Sequence, residues 1–150
     1  GPDIRLIKEE FEEDREGLAL ANAPVVIGIG MGVGSVEGLA RIQGMARSVG
    51  ATLGTTRDVI HEGWLPQQLR IGISGRTIAP MVYISVGIRG AFNHTVGLQR
   101  AGVIISINTN RRAVMFRSSD FGIVGDWEEF LPPLIEQLRP LLLDISSTSK

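Results

Sequence analysis

With 150 residues, 43% of them hydrophobic and 21% charged, the chain suits one globular domain with a real core rather than a disordered segment. Cysteine is absent, which excludes disulfides, thiolate metal sites and cysteine nucleophiles, and no apolar run approaches the roughly 18 residues that span a bilayer. The net charge of −1 conceals an uneven distribution: six acids face two bases between Lys8 and Glu16, whereas between Gly17 and Asp126 ten arginines and no lysine face five acids.

Gly1-Pro2, without an initiator Met, reads as a protease scar on an excised domain, and with no basic-then-apolar opening segment the chain is expected inside the cell. Ile4 to Phe11 reads as an edge strand or a helical turn and the acidic run after it as a solvated linker, which sets residues 1–22 apart from a domain at 23–143. VVIGIG after Pro24 predicts a short buried strand. Ser35 opens a helix that carries Val36, Leu39, Ala40, Ile42 and Met45 and ends near Gly50. Ala51 to Thr55 predicts a second strand, Arg57 to Glu62 a short helix or turn closed by Gly63, and Leu69 to Ile73 and Met81 to Gly87 two further strands. Ala91 to Gln99 predicts a helix, VIISIN at Val103 to Asn108 a strand, and Phe121 to Val124 the last strand. Asp126 has the form of an N-cap with Glu129 as its capping-box partner, for a helix to about Leu138 that Pro132 and Pro133 kink or delay. The tail at 144–150, DISSTSK, is expected to be disordered. Strands alternating with helices predict an α/β fold with a doubly wound, mainly parallel sheet covered on both faces.

The stretch from Arg70 to His94, RIGISGRTIAPMVYISVGIRGAFNH, sets glycines, hydroxyls, arginines and a histidine around one apolar strand, the composition of a cofactor cradle rather than of core alone. The arginine bias suits a nucleotide ligand, because guanidinium offers a rigid fork to phosphate and a flat face for stacking. A composition habit of the source organism is the alternative. Other chemistries lack their residues. GIGMGVG puts Val33 or Ser35 where a G-x-G-x-x-G motif needs its third glycine, no Gly-Lys-Ser/Thr occurs, and Arg76 stands where a nucleophile elbow needs glycine. His61 and His94 have no zinc spacing, and Asp58, Glu62, Asp120 and Asp126 are too scattered for paired acid/base work. A binding site remains, with no catalytic residue and no metal ligand expected.

The landmarks TTRDVIHEGWLP, GISGRTIAPMVYISVGIRGAFNH, ISIN and FGIVGD, in this order between about Ala23 and Leu138, resemble the C-terminal FAD-binding domain of the electron transfer flavoprotein alpha subunit. The resemblance implies a Rossmann-like, DHS-like NAD/FAD-binding fold, FAD as cofactor, and an electron carrier rather than an enzyme with its own substrate. It also implies a heterodimer with the beta subunit, a dehydrogenase as electron donor and a quinone-linked or other acceptor. The location it implies is cytoplasmic, or the mitochondrial matrix in a eukaryote. Neither nucleic acid nor membrane insertion is expected.

By the same resemblance, Arg57 lies against the isoalloxazine ring, where a fixed cation favours the negative charge of reduction, and Thr56 lies near the phosphates. Ser74 stands where the family has a hydroxyl that donates to flavin N5, and His94 where a histidine reaches the flavin C2 carbonyl. Gly90 and Ala91 match the small residues over which the pyrophosphate runs at a helix N-terminus. Asn108 and Asp126 match positions that contact the adenosine half, with a helix cap as the alternative role of Asp126. Ile71, Gly72, Ile73, Phe92, Asn93 and Trp127 complete the cofactor-lining positions. Met31 stands where the family reads Gly-Gly-Arg-Gly, which removes an arginine. Arg89 replaces a common serine directly before Gly90, and we expect it to restore the lost charge from the opposite side of the pyrophosphate. Ile73 and Asn93 replace common glutamines, as in a divergent branch. The competing readings are a related nucleotide-binding module and a structural or interaction domain that has lost FAD.

Overall fold

The structure, a computed structural model, describes residues 3–148; Gly1 and Pro2, read above as a scar, lie outside the described residues. Asp3 caps helix α1 (Ile4–Asn22) by accepting the Arg5 N–H at 2.9 Å, and Pro24 lies just past the helix end. The acidic run is thus helical, neither linker nor strand. It contains no glycine or proline before Gly17 and many good helix formers, and the fully buried Leu20 anchors the helix to the body while Ile4, Leu6, Ile7 and Phe11 stay exposed.

There follow β1 (Val25–Ile29), α2 (Val36–Ser48), β2 (Thr52–Thr55), α3 (Arg57–His61), β3 (Val82–Val86), α4 (Phe92–Thr95), β4 (Val103–Asn108), β5 (Phe121–Val124) and α5 (Trp127–Thr148). Every strand pair is parallel and the order is β2-β1-β3-β4-β5, the doubly wound α/β sheet expected from the alternation of elements.

Strand alternation sorts the core into two layers. On one face Val25, Ile27, Ile29, Val82, Ile84, Val86 and Ile107 meet α2 and α5 through Leu39, Ile42, Trp127, Leu131 and Ile135. On the other, Val26, Tyr83 and Ile104 meet Leu20 of α1 and residues from irregular segments, among them Ile71, Ile78, Ile88 and Met115. Irregular chain can lie this close because the sheet presents a row of small residues there. Gly54, Gly28, Ser85, Ser106 and Gly122 stand in register across all five strands. A Cβ on Gly54 would strike Ile71, one on Gly28 the Tyr83 hydroxyl, and one on Gly122 the Phe116 ring.

The structure corrects three sequence expectations besides the N-terminal one. Leu69 to Ile73 is not a strand; single bridges join Thr55 to Arg70 and Ile71 to Arg76, because Gly72 at φ 110° and Ser74 at φ 65° turn the chain back on itself. The helix expected over 91–99 is the single α turn of α4 followed by a 3-10 turn at Val96–Leu98, where Gly97 lies against the Gly72 backbone. Finally, α5 runs well past Leu138 and takes in 144–148 of the tail expected to be disordered at 144–150, the last two residues of which lie outside the described residues. Leu142 and Ile145 are buried, and Ser146 Oγ donates to the Val49 carbonyl at 3.1 Å. Pro132, Pro133 and Pro140 sit inside this helix. The carbonyls they leave without a helical N–H belong to Glu128, Glu129 and Glu136, all exposed residues within reach of water.

Gly87 ends β3 at φ 65°, and a Cβ there would lie 2.6 Å from the Gly32 Cα. Gly87→Ala is expected to destabilise the fold by more than about 2 kcal/mol. Gly44→Ala, in the middle of α2 where a Cβ meets nothing within 4 Å, is expected to stabilise it by up to about 1 kcal/mol. Thermal denaturation of the two variants side by side checks both signs.

Candidate functional site

Four strands deliver residues to one cleft at the carboxyl edge of the sheet: Gly30 to Gly32 after β1, Thr56 and Arg57 after β2, Gly87 to Ala91 after β3, and Asn108 at the end of β4. The chain leaves β1 toward β2 on one side and β3 toward β4 on the other, and ligands of open parallel sheets bind at such a switch point. The cleft measures about 470 Å³, within the range of small-molecule sites.

Its floor is main chain. The Gly30 N–H donates to the Val86 carbonyl and the Gly32 N–H to the Gly87 carbonyl, both at 2.9 Å, so the turns after β1 and β3 interlock. A Cβ on Gly30, Gly32 or Gly87 would strike the facing backbone, one on Gly72 the Asn93 carbonyl, and one on Gly90 the Met115 backbone. The close approach at these glycines is therefore between segments of the chain itself.

Of the residues expected at a cofactor, the cleft brings together Thr56, Arg57, Ile71, Arg89, Gly90, Ala91, Asn93, His94 and Asn108. Thr56 precedes α3 without spending its hydroxyl on a cap. Asn108 is engaged, donating through Nδ2 to the Ile88 carbonyl at 3.0 Å and accepting the Asn110 N–H at 2.9 Å. Arg57 Nε donates to His61 Nε2 at 3.5 Å. Arg57, Arg70 and Arg89 set three guanidinium side chains around the cleft against one carboxylate side chain, Asp58, and none of the three arginines is in an ion pair among the described residues.

Gly72, Ile73, Ser74 and Phe92 lie beside the cleft rather than in its lining. Ile73 N–H donates to the Asn93 carbonyl at 2.8 Å, the Ser74 carbonyl accepts from Gln67 Nε2 at 2.9 Å, and the side chains of Ile73 and Phe92 are exposed. Asp126 caps α5, its Oδ1 accepting the Glu128 N–H at 3.0 Å. Trp127 belongs to the core: its indole N–H donates to the Val33 carbonyl at 3.0 Å, and the Arg41 guanidinium lies 5.1 Å from the ring centroid. The sequence reading gave no cofactor role to Asp58, Arg70, Asn110, Gly30 and Gly32, while Gly87 stood among the glycines of the cradle stretch. The position directly after a parallel strand is the signal that finds Gly30 and Gly87, whereas Arg70 is brought in only by its bridge to Thr55.

His94, 5% exposed, is part of the cleft wall. Its Nε2 and the Tyr83 hydroxyl share a hydrogen bond of 2.8 Å, and its Nδ1 has no partner. Burial pushes the imidazole pKa from 6.5 down to about 4, with the Ile71 backbone opposing the shift, and burial likewise raises the Tyr83 phenol far above its ordinary value.

A family model, the electron transfer flavoprotein FAD-binding domain, matches residues 19–99. The electron transfer flavoprotein subunit alpha of Mycobacterium leprae is 37% identical over 120 residues, covering 80% of this chain and 38% of that protein. The subunit alpha of Thermoanaerobacterium thermosaccharolyticum is 34% identical over 140 residues, 93% of this chain and 42% of the relative. The mitochondrial subunit alpha of Oryza sativa subsp. indica is 36% identical over 126 residues, 84% of this chain and 35% of the relative. The chain thus spans about two fifths of the length of the curated relatives it matches.

Trp127→Phe leaves the buried Val33 carbonyl without its donor and is expected to lower stability by about 1–3 kcal/mol. Denaturant unfolding reads that loss, and FAD titration of the same variant is expected to be unchanged. Because the folded chain resists protonating His94, the unfolded chain takes up the proton first as pH falls. This contribution leaves stability untouched above about pH 6.5, reduces it by on the order of 1 kcal/mol per pH unit between about 6.5 and 4, and is constant below. Urea unfolding at about pH 7 and about pH 5 is expected to show a smaller difference in His94→Gln than in the parent chain.

Proposed function

The chain belongs to the electron transfer flavoprotein FAD-binding domain family, and from this we propose that its cleft holds FAD and that, within a longer alpha subunit, it carries electrons from a dehydrogenase to an acceptor. The observation that carries the reading is a switch-point cleft with a main-chain floor and three arginines free of ion pairs among the described residues. Bound FAD supplies the reversible redox chemistry, and the protein has no substrate of its own.

The residues present fit the group. Arg57, Arg70 and Arg89 give the positive charge that a diphosphate requires, and guanidinium suits phosphate geometry. A single-turn α4 has little dipole to add, so the arginines and not the helix end carry the attraction. Arg89 and Met31 both line the cleft, and Arg89 offsets the arginine absent at Met31. Thr56 has a hydroxyl to donate, Arg57 sets a cation beside the flavin ring, and Ile71, Asn93 and His94 wall the cleft beside Gly90 and Ala91. Gly72, Ile73, Ser74 and Phe92 flank the flavin end, and Asn108 supports the adenosine end by bracing the turns after β3 and β4. Asp126 and Trp127 are left out of the site, since one caps α5 and the other holds the Val33 carbonyl.

A beta subunit is the proposed heterodimer partner, and the exposed apolar side chains of Ile73 and Phe92 are a surface that such a partner covers. The proposed location is the cytoplasm, or the mitochondrial matrix in a eukaryote. A rice relative is named mitochondrial, and no helix among the described residues is long and apolar enough to cross a membrane.

The purified chain is expected to take up FAD in preference to FMN or AMP and to show a flavin absorption spectrum. Arg89→Ser is expected to weaken FAD binding by about tenfold in calorimetric titration. Unchanged affinity would remove Arg89 from the site, and a colourless chain that refuses FAD with and without a beta subunit would sink the reading itself.

A further inference from the structure

Tyr83 is fully buried in mid-strand, lines no part of the cleft, and its hydroxyl has one partner among the described residues, His94 Nε2 at 2.8 Å. The sheet is shaped to admit this hydroxyl. Gly28, in the middle of β1, lies under the phenol, and a Cβ at that position would collide with the Tyr83 oxygen. The geometry leaves two neutral arrangements of the pair. If Nε2–H donated to the phenol oxygen, the phenol proton would be buried without an acceptor, and Nδ1 would be left as a buried lone pair. If instead the phenol O–H donates to Nε2, the phenol proton is satisfied and only one group, the Nδ1–H, lacks a hydrogen bond among the described residues. Stranded buried polar groups are costly, so the arrangement with fewer of them prevails.

We propose that Tyr83 is a positioning residue for the cleft: its hydroxyl donates to His94 Nε2 and fixes the ring as the neutral tautomer with its proton on Nδ1, with Gly28 as the space that makes the contact possible. The histidine of the cleft wall is then a neutral ring held in one orientation, with its Nδ1–H buried and no positive charge offered to the ligand. The formal charge of the site is left to Arg57, Arg70, Arg89 and Asp58. The link to the ligand rests on the FAD reading above; the tautomer does not.

The test therefore starts with the ligand-free chain. Two-bond 1H–15N correlation spectra of His94 at about pH 7 are expected to show a protonated Nδ1 and an unprotonated Nε2, whereas a protonated Nε2 in the parent chain overturns the proposal whether or not any variant folds. Tyr83→Phe, which keeps the ring that fills the core, is expected to release the preference and bring in the Nε2–H form; an unaltered His94 spectrum in that variant also overturns it. FAD affinity of folded Tyr83→Phe is expected to fall about three- to tenfold, and affinity unchanged despite a shifted tautomer overturns the link to the cleft. A parent chain that shows the Nδ1–H form yet binds no FAD supports the Tyr83 assignment and counts against the FAD reading alone.

Discussion

The turns after β1 and β3 meet main chain to main chain, with the Gly32 N–H donating to the Gly87 carbonyl at 2.9 Å and no room for a Cβ on either residue. At this point of the sheet the neighbouring connections diverge, and the same divergence that opens a cleft also threatens to leave its floor as unpaired backbone. The interlock resolves both, because it continues the hydrogen bonding of β1 and β3 beyond the strands and leaves the space above free. The floor is also held from behind. Trp127, the first residue of α5, donates its indole N–H to the Val33 carbonyl in the same turn, and Gly38 leaves room for the ring, since a Cβ there would lie 2.9 Å from it. A helix that contributes nothing to the cleft lining thus fixes the position of the residues that do.

The two faces of the sheet solve the burial problem differently. One is covered by α2 and α5, long helices with apolar stripes, and needs no special residues beneath them. The other is covered by the end of α1 and by turns, which lack a regular stripe and must lie closer to bury the same surface. The in-register row from Gly54 to Gly122 supplies that proximity. This face also carries most of the buried polar residues, Ser85, Ser106 and His94: Ser106 and Ser119 share a hydrogen bond at 2.6 Å, and Tyr83 meets His94. Ser106 and Tyr83 are tolerated there because irregular chain brings each a partner, whereas the Ser85 hydroxyl has none among the described residues.

Strand positions were legible because β1, β3 and β4 are apolar runs bounded by glycine, proline or asparagine, and parallel pairing follows from the elements between them. The failures have a common cause in tertiary contacts that local pattern does not encode. Leu69 to Ile73 has strand composition, yet a left-handed Ser74 and the clasp of Ile73 onto Asn93 determine its path. DISSTSK has the composition of a tail, yet Ile145 and Ser146 find burial and a carbonyl on the body. At the site, Thr56, Arg57, Arg89 and His94 were assigned through the family resemblance rather than by local pattern, and the cleft lining holds all four. Trp127 was not separable from them in sequence, because an indole donor serves a ligand and a core carbonyl equally well. Arg70 opened the stretch read as a cradle yet received no role of its own, because only the tertiary approach of its segment to β2 brings it to the cleft.

The charges of the cleft can now be divided by range. Arg57 and Arg89 are exposed and Arg70 is half-buried, so in water their attraction for an anion extends over about a Debye length of 8–10 Å and is weakened by salt. Such charges draw a diphosphate in without orienting it. Orientation has to come from groups that do not move: the main-chain floor, the turns braced by Asn108, and a histidine held from below by a buried phenol. Once a ligand displaces water from the cleft, the same three guanidiniums act through a lower dielectric and their effect on the ligand's own charge grows. The neutral His94 wall keeps that effect with the arginines, so the electrostatic setting of the site is governed by side chains on α3 and on the turns after β3 and before Ile71, while its geometry is governed by the glycines beneath them.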